Sequence, residues 1–144
     1  MTQSGGGDGD GDDDGDDHGD GRSRPNLRIA EAVLDCNRPE VAVAFWEAAL
    51  GYERGWDGGP FSQLHDPAGA GLTLLFQRVP EGKIVKNRVH LDLATPDMAG
   101  EVARLVALGA RVLRDVSERG ARWTVLVDPE GNEFCVVAES LRAG

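Results

Sequence analysis

The sequence predicts an α+β fold: two tandem βαβββ modules forming a curved mixed sheet or incomplete barrel. Three repeated features predict it. Each half opens with a strand-like alternation, over residues 28–36 and 88–94. An amphipathic helix ending in Leu-Gly follows each strand, at Gly51 and at Gly109. An Asp-Pro-x-Gly turn then precedes the last strand of each half, at Asp66 to Gly69 and at Asp128 to Gly131.

The helices start where Pro cannot continue a strand. Asn37 precedes Pro39 and Glu40, which predicts an N-cap followed by an acid; Thr95 precedes Pro96, which predicts Pro at the first helical position. Val41, Phe45, Ala48 and Ala49 in the first helix match Met98, Val102, Leu105 and Val106 in the second. Both sets follow the i, i+4, i+7, i+8 spacing of a buried helical stripe. Three short strands follow in each half: near residues 52–56, 61–65 and 72–77, then near 111–116, 122–127 and 133–138. Asp-Pro-x-Gly is strong turn chemistry. The modules span residues 28–78 and 88–138, joined by a linker at 79–87.

Composition separates the body from what precedes it. Residues 1–24 hold eight Asp against two Arg and almost no apolar side chain. Such a segment has no apolar area to offset its chain entropy, and its like charges repel, so it reads as a disordered acidic tail. The alternation of Asp and Gly suggests calcium, but the EF-hand pattern needs a bidentate Glu at the end of the loop and flanking helices. Neither is present. Residues 25–144 are long enough for one core, which buries roughly two-thirds of the unfolded surface at this size. The overall charge of −10 and scattered bases argue against nucleic acid. No apolar run reaches the roughly 20 residues of a membrane span. The first residues lack the basic and apolar regions of a signal peptide, and the two Cys match no zinc spacing. Free thiols in a reducing cytoplasm are the expectation.

Strand alternation also predicts a site. The first and last strand of each half carries one apolar face: Ala30, Ala32 and Leu34; Leu72, Leu74 and Phe76; Val89, Leu91 and Leu93; Phe134, Val136 and Ala138. The opposite faces carry Glu31 and Asp35, Thr73 and Gln77, His90 and Asp92, Glu133 and Cys135. With helices outside, these polar groups point into a shared cup. Asp35, Gln77, Asp92 and Glu133 are its candidate ligand-binding groups, with Trp56 in the Gly-rich stretch at its lip. Trp56 reads equally as a strand-end packing residue. Trp46 lies off the helical stripe and is assigned to an edge or a dimer contact; Trp123 is assigned to core or interface. His90 is a ligand, an acid/base or a residue satisfied by Glu31 or Asp92; Cys135 is a small core residue or a functional thiol.

The two modules with these turns resemble the vicinal-oxygen-chelate superfamily. The stretches NRVHLDL at 87–93 and WTVLVDPEGNEFCVV at 123–137 resemble its small bacterial glyoxalase-like and bleomycin-resistance-like members. The resemblance covers residues 28–138 and implies a divalent metal in the cup, no nucleotide cofactor, and a homodimer. Carried over by spacing, the ligand positions fall on Glu31, Thr73, His90 and Cys135. Only His90 is the usual residue; Thr73 is a poor ligand, and the thiol of Cys135 suits zinc better than magnesium or manganese. Glu133 lies two residues early for the final-strand ligand. Two functions are implied. One is a metal-dependent lyase, isomerase or dioxygenase acting on a small oxygenated molecule, with Glu31 and His90 catalytic. The other is a metal-free protein that binds or sequesters a small molecule. If no metal binds, Glu31 and His90 are expected to face and pair with one another.

Deleting residues 1–24 is expected to leave the melting temperature within a few degrees of the full chain. A larger drop in a thermal melt would show that the segment packs.

Overall fold

The computed structural model describes residues 25–139. The expected disordered tail lies outside them. The chain runs β1 (Ala32–Cys36), α1 (Pro39–Leu50), β2 (Glu53–Gly58), β3 (Phe61–His65) and β4 (Leu74–Arg78). The second module follows as β5 (Leu91–Thr95), α2 (Met98–Leu108), β6 (Arg111–Glu118), β7 (Ala121–Val127) and β8 (Glu133–Ala138). Each module makes one mixed four-stranded sheet, ordered β1-β4-β3-β2 and β5-β8-β7-β6. The first strand pairs parallel to the last, and the remaining pairs are antiparallel. Neither sheet closes, as an incomplete barrel requires.

Both helices begin differently from expectation. Arg38, not Asn37, occupies the N-cap of α1 and offers no side-chain cap. Asn37 instead donates through Nδ2 to the carbonyls of Val79 and Glu81, at 2.9 and 2.8 Å. The cap of α1 comes from the other module: the Glu130 carboxylate accepts from the backbone N–H of Asn37 at 3.4 Å and of Arg38 at 3.0 Å. A negative group beside exposed helical N–H groups is favourable. At the far end of α1, Arg104 of α2 donates to the carbonyls of Ala48 and Ala49, at 3.2 and 2.8 Å. Helix α2 starts at Met98, later than Pro96 suggests, because Asp97 caps it by accepting from Gly100 N–H at 3.0 Å.

The buried face of α1 is also rotated. Ala42, Val43, Phe45, Trp46 and Ala49 are buried, whereas Ala48 is exposed and Val41 partly so. In α2 only Leu105 is fully buried, with Met98 and Val102 packed against the core and Val106 exposed. Trp46 is therefore core, not edge or dimer contact, at 1% exposure. Its ring meets Phe45 and Phe134 at centroid distances of 5.2 and 5.0 Å, so α1 packs on the last strand of the other module.

A buried indole N–H needs an acceptor. Trp46 Nε1 donates to Asp128 Oδ2 at 3.0 Å, while Oδ1 accepts from the N–H groups of Glu130 and Asn132, each at 2.9 Å. The repeated turn of module one does the opposite. Asp66 holds three backbone N–H groups, of Ala68, Ala70 and Gly71, near the surface. Those bonds hold its carboxyl below the usual range, whereas burial pushes Asp128 up. For Asp128 the raised folded pKa means a contribution fully present below the unfolded value near ~3.9 and lost as pH rises through the folded one.

Asp128→Ala strands the Trp46 N–H and two backbone donors in the interior. It is expected to cost about 3 kcal/mol or more, against about 1 kcal/mol for Asp66→Ala at the surface. Urea unfolding of both variants checks this, and equal shifts in midpoint would remove Asp128 as the tie between modules.

Candidate functional site

The cup forms on the second sheet. Before β5, Asn87 fixes the chain: its Oδ1 accepts from Glu133 N–H at 3.1 Å and its Nδ2 donates to Asn132 Oδ1 at 3.2 Å. From there alternation sends Leu91 and Leu93 to the core with Phe134 and Val136, their register partners. Asp92, paired with Cys135, turns to the other face, and the same row continues through Val125 to Arg114. Trp123, paired with Val137, lies one step along. Asp92, Cys135, Trp123 and Val137 line a cleft of about 570 Å³ together with His90 and the β6–β7 hairpin at Arg119, Gly120 and Ala121.

Three side chains converge in it. The ligand atoms of His90, Asp92 and Cys135 all lie within 4.8 Å of one another. His90 Nε2 is 3.3 Å from Asp92 Oδ1. Its partner is thus Asp92, its neighbour two along the strand, and not Glu31. The Cys135 thiol is pushed up by burial and then by the Asp92 charge beside it. The protonated thiol is the stable form at neutral pH, which makes it a hydrogen-bond donor and a poor nucleophile. Asp92 therefore faces both an imidazole and a thiol, as the centre of the group.

The other predicted residues lie elsewhere. Glu31 lies just before β1 of the first sheet and is absent from the three-residue group. Thr73 sits just before β4, its carbonyl accepting from Ala32 N–H at 3.0 Å. Register gives that place to another residue: Asp92 pairs with Cys135, and its counterpart Val33 pairs with Leu75. The turn after Asp66 is two residues longer than the turn after Asp128, because Leu74 follows Asp66 by eight positions and Phe134 follows Asp128 by six. Gly71 belongs to this extension; a Cβ there would lie 2.2 Å from the Tyr52 hydroxyl. The expected polar face of the first sheet is thus interrupted by Val33 and Leu75.

Asp35 and Gln77 pair across β1 and β4. Asp35 lines a larger crevice of about 700 Å³ between the modules, whose walls are mostly strand edges and linker. Glu133 lies in that crevice too, drawn by Lys86 Nζ at 2.5 Å, which also holds its carboxyl below the usual range. Trp56 is 58% exposed and stacks on Phe61 at 6.1 Å, on the first sheet. Cys36 is core, its thiol pushed up to about 11 by burial. Trp123, expected in the core or an interface, lines the cleft, and Arg119 was not singled out by sequence. Arg-Gly is not among the pairs that mark a two-residue hairpin loop, so Gly120 signals a turn but nothing in the sequence marks Arg119.

A family model described as a glyoxalase-like domain matches residues 31–137. The chain belongs to that family. The fold is shared with solved structures of low identity. One is a variant of the fosfomycin resistance protein FosX from Listeria monocytogenes, complexed with Mn(II) and 1S,2S-dihydroxypropylphosphonic acid. It aligns with a TM-score of 0.65 at 14% identity, covering 76% of this chain and 88% of that one. A glyoxalase/bleomycin resistance protein/dioxygenase from Nocardioides gives 0.64 at 20%, covering 85% and 88%. A member of that superfamily from Sphaerobacter thermophilus gives 0.62 at 24%, covering 78% and 98%. No curated protein matches the chain. At these identities the likeness shows the fold alone.

Removing the Asp92 charge should lower the Cys135 pKa. Asp92→Asn is expected to speed alkylation of Cys135 severalfold at pH 7.5, with Cys36 unchanged as the internal control. Mass spectrometry of labelled peptides reads both sites, and an unaltered Cys135 rate would mean that Asp92 does not hold the thiol.

Proposed function

We propose that this chain binds a small oxygenated molecule in the cup of its second module, without a resident metal. The observation that carries this is the convergence of three side chains, with His90 Nε2 3.3 Å from Asp92 Oδ1 and the Cys135 thiol within 4.8 Å of both. The three groups satisfy one another, with a protonated thiol where the fold family's final-strand ligand falls. Leu75 stands at the matching position of the first module and offers no donor atom. His90 would donate to a hydroxyl or carbonyl oxygen of the ligand, Asp92 would accept from a hydroxyl, and Trp123 would cover its apolar part.

A second reading rests on the proximity of the same groups. One nitrogen, one oxygen and one sulfur donor within 4.8 Å form a mixed set that suits zinc rather than manganese. Bound there, such an ion would polarise a substrate oxygen and support lyase, isomerase or dioxygenase-type chemistry. It must first displace the thiol proton against burial and the Asp92 charge. Glu31, on the other sheet, would need a different arrangement of modules to join it. A second copy of the chain is the proposed partner, and the exposed Val33 and Trp56 on the first sheet are what it would cover. The two thiols are free, in keeping with a cytoplasmic protein. No helix among the described residues is long and apolar enough to cross a membrane.

Protein purified without added metal is expected to hold well under one equivalent of zinc, nickel, iron or manganese by elemental analysis. Stoichiometric metal that is lost in His90→Ala would overturn the metal-free reading and establish the second. Sedimentation at tens of micromolar should show a dimer, and a monomer would remove the pairing.

A further inference from the structure

Among the described residues, the hairpin beside the cup contains the one non-glycine residue with a positive φ. Strand β6 ends at Glu118 and β7 begins at Ala121, so Arg119 and Gly120 form a two-residue loop. Both have positive φ, 51° and 80°. That is the turn whose twist suits a β-hairpin, and it favours Asn-Gly or Gly-Gly because a Cβ is disfavoured in the left-handed region. Every other positive-φ position among the described residues is a glycine, including Gly59 in the matching β2–β3 turn. Among the described residues glycine thus holds every such position but Arg119.

An arginine retained in a strained place calls for a use of its side chain. Packing does not supply one. The Arg119 side chain is 92% exposed, and its nearest ion-pair partner, Glu118, lies 4.0 Å away and is itself 63% exposed. Such a contact at the surface holds little. Yet Arg119 lines the same cleft as His90, Asp92, Cys135 and Trp123. Arg114 adds a second cation from the same face, in the row of Cys135, and its charge acts on that thiol. The acid of the cup, Asp92, is already faced by His90.

We propose that Arg119 is a specificity-determining residue that recognises an anionic group, carboxylate or phosphate-like, on the molecule bound in the cup. The guanidinium fork suits both groups, and the exposed hairpin lets it close over the ligand. This rests on the binding function proposed above and names the class of ligand.

Substitution separates the two roles of position 119. Arg119→Gly removes the strained Cβ together with the cation. Its melting temperature is expected to rise by about 3 °C, the size of one relieved left-handed residue. Its affinity for malonate and inorganic phosphate, followed by NMR shifts of the Trp123 indole and His90 ring, is expected to fall about tenfold, the size of one charge-assisted hydrogen bond. Arg119→Lys should keep most of the affinity without the gain in stability. Propane-1,2-diol serves as the neutral probe and should bind the wild type and Arg119→Gly alike, more weakly than malonate. If Arg119→Gly binds the anions as the wild type does, or the diol binds as well as malonate, the anion assignment fails and the cup remains a binding site. If no probe moves either resonance, both the assignment and the binding function fail.

Discussion

The bond from the Trp46 indole to the buried Asp128 carboxylate ties the two modules together. Everything around it depends on that placement. Trp46 brings α1 against Phe134, so the core of one module is completed by the other. Asp128 also organises its own turn, which delivers Asn132 and Glu133 to the start of β8. Because Glu130 leaves the same turn toward the N-terminus of α1, and Arg104 closes the other end of that helix, α1 is held at both termini from outside its module. The cup inherits this rigidity through β8, which carries Cys135 between β5 and β7. A buried carboxylate is costly on its own; here three donors around it offset part of that cost, and burial still pushes its carboxyl up.

The site shows how small changes in a duplicated framework redirect chemistry. The same Asp-Pro-x-Gly turn gives one exposed carboxyl held low and one buried carboxyl pushed up. The same strand positions give Asp92 and Cys135 on one sheet and Val33 and Leu75 on the other. The second sheet therefore gathers polar groups at this row, while the first places Val33 and Leu75 there, next to the Asp35 and Gln77 pair.

The modules, the turns and the alternation of the strand middles were legible in the sequence because period-two alternation survives in short strands, whereas Ala30, Leu72 and Val89, expected on the apolar faces, lie ahead of the strands and are exposed. The face of α1 was not. The run PEVAVAFWEAAL is apolar nearly throughout, so several stripes fit it equally, and the acceptor for Trp46 lies 82 positions away. Counting from Asp66 led to Thr73 because nothing in a single sequence shows that Ala70 and Gly71 extend the turn. Asp92, a same-face neighbour on one strand, was one of the two partners the sequence offered His90, while the shared-metal geometry implied by the resemblance favoured Glu31. Arg119 escaped notice because backbone strain has no signature until φ is known.

The longer first turn also limits how this architecture can drift. Successive side chains point to opposite sides of a strand, so a segment can grow by two residues and keep every face where it was. The difference between the turns after Asp66 and Asp128 is of that even kind, and Leu74 and Phe76 remain in the core just as Phe134 and Val136 do. A single inserted residue would have to be absorbed within the turn or would exchange the dry side of β4 for its wet one. Length variation at this corner is in that sense quantised, and descendants of the duplicated unit can be expected to differ there in steps of two.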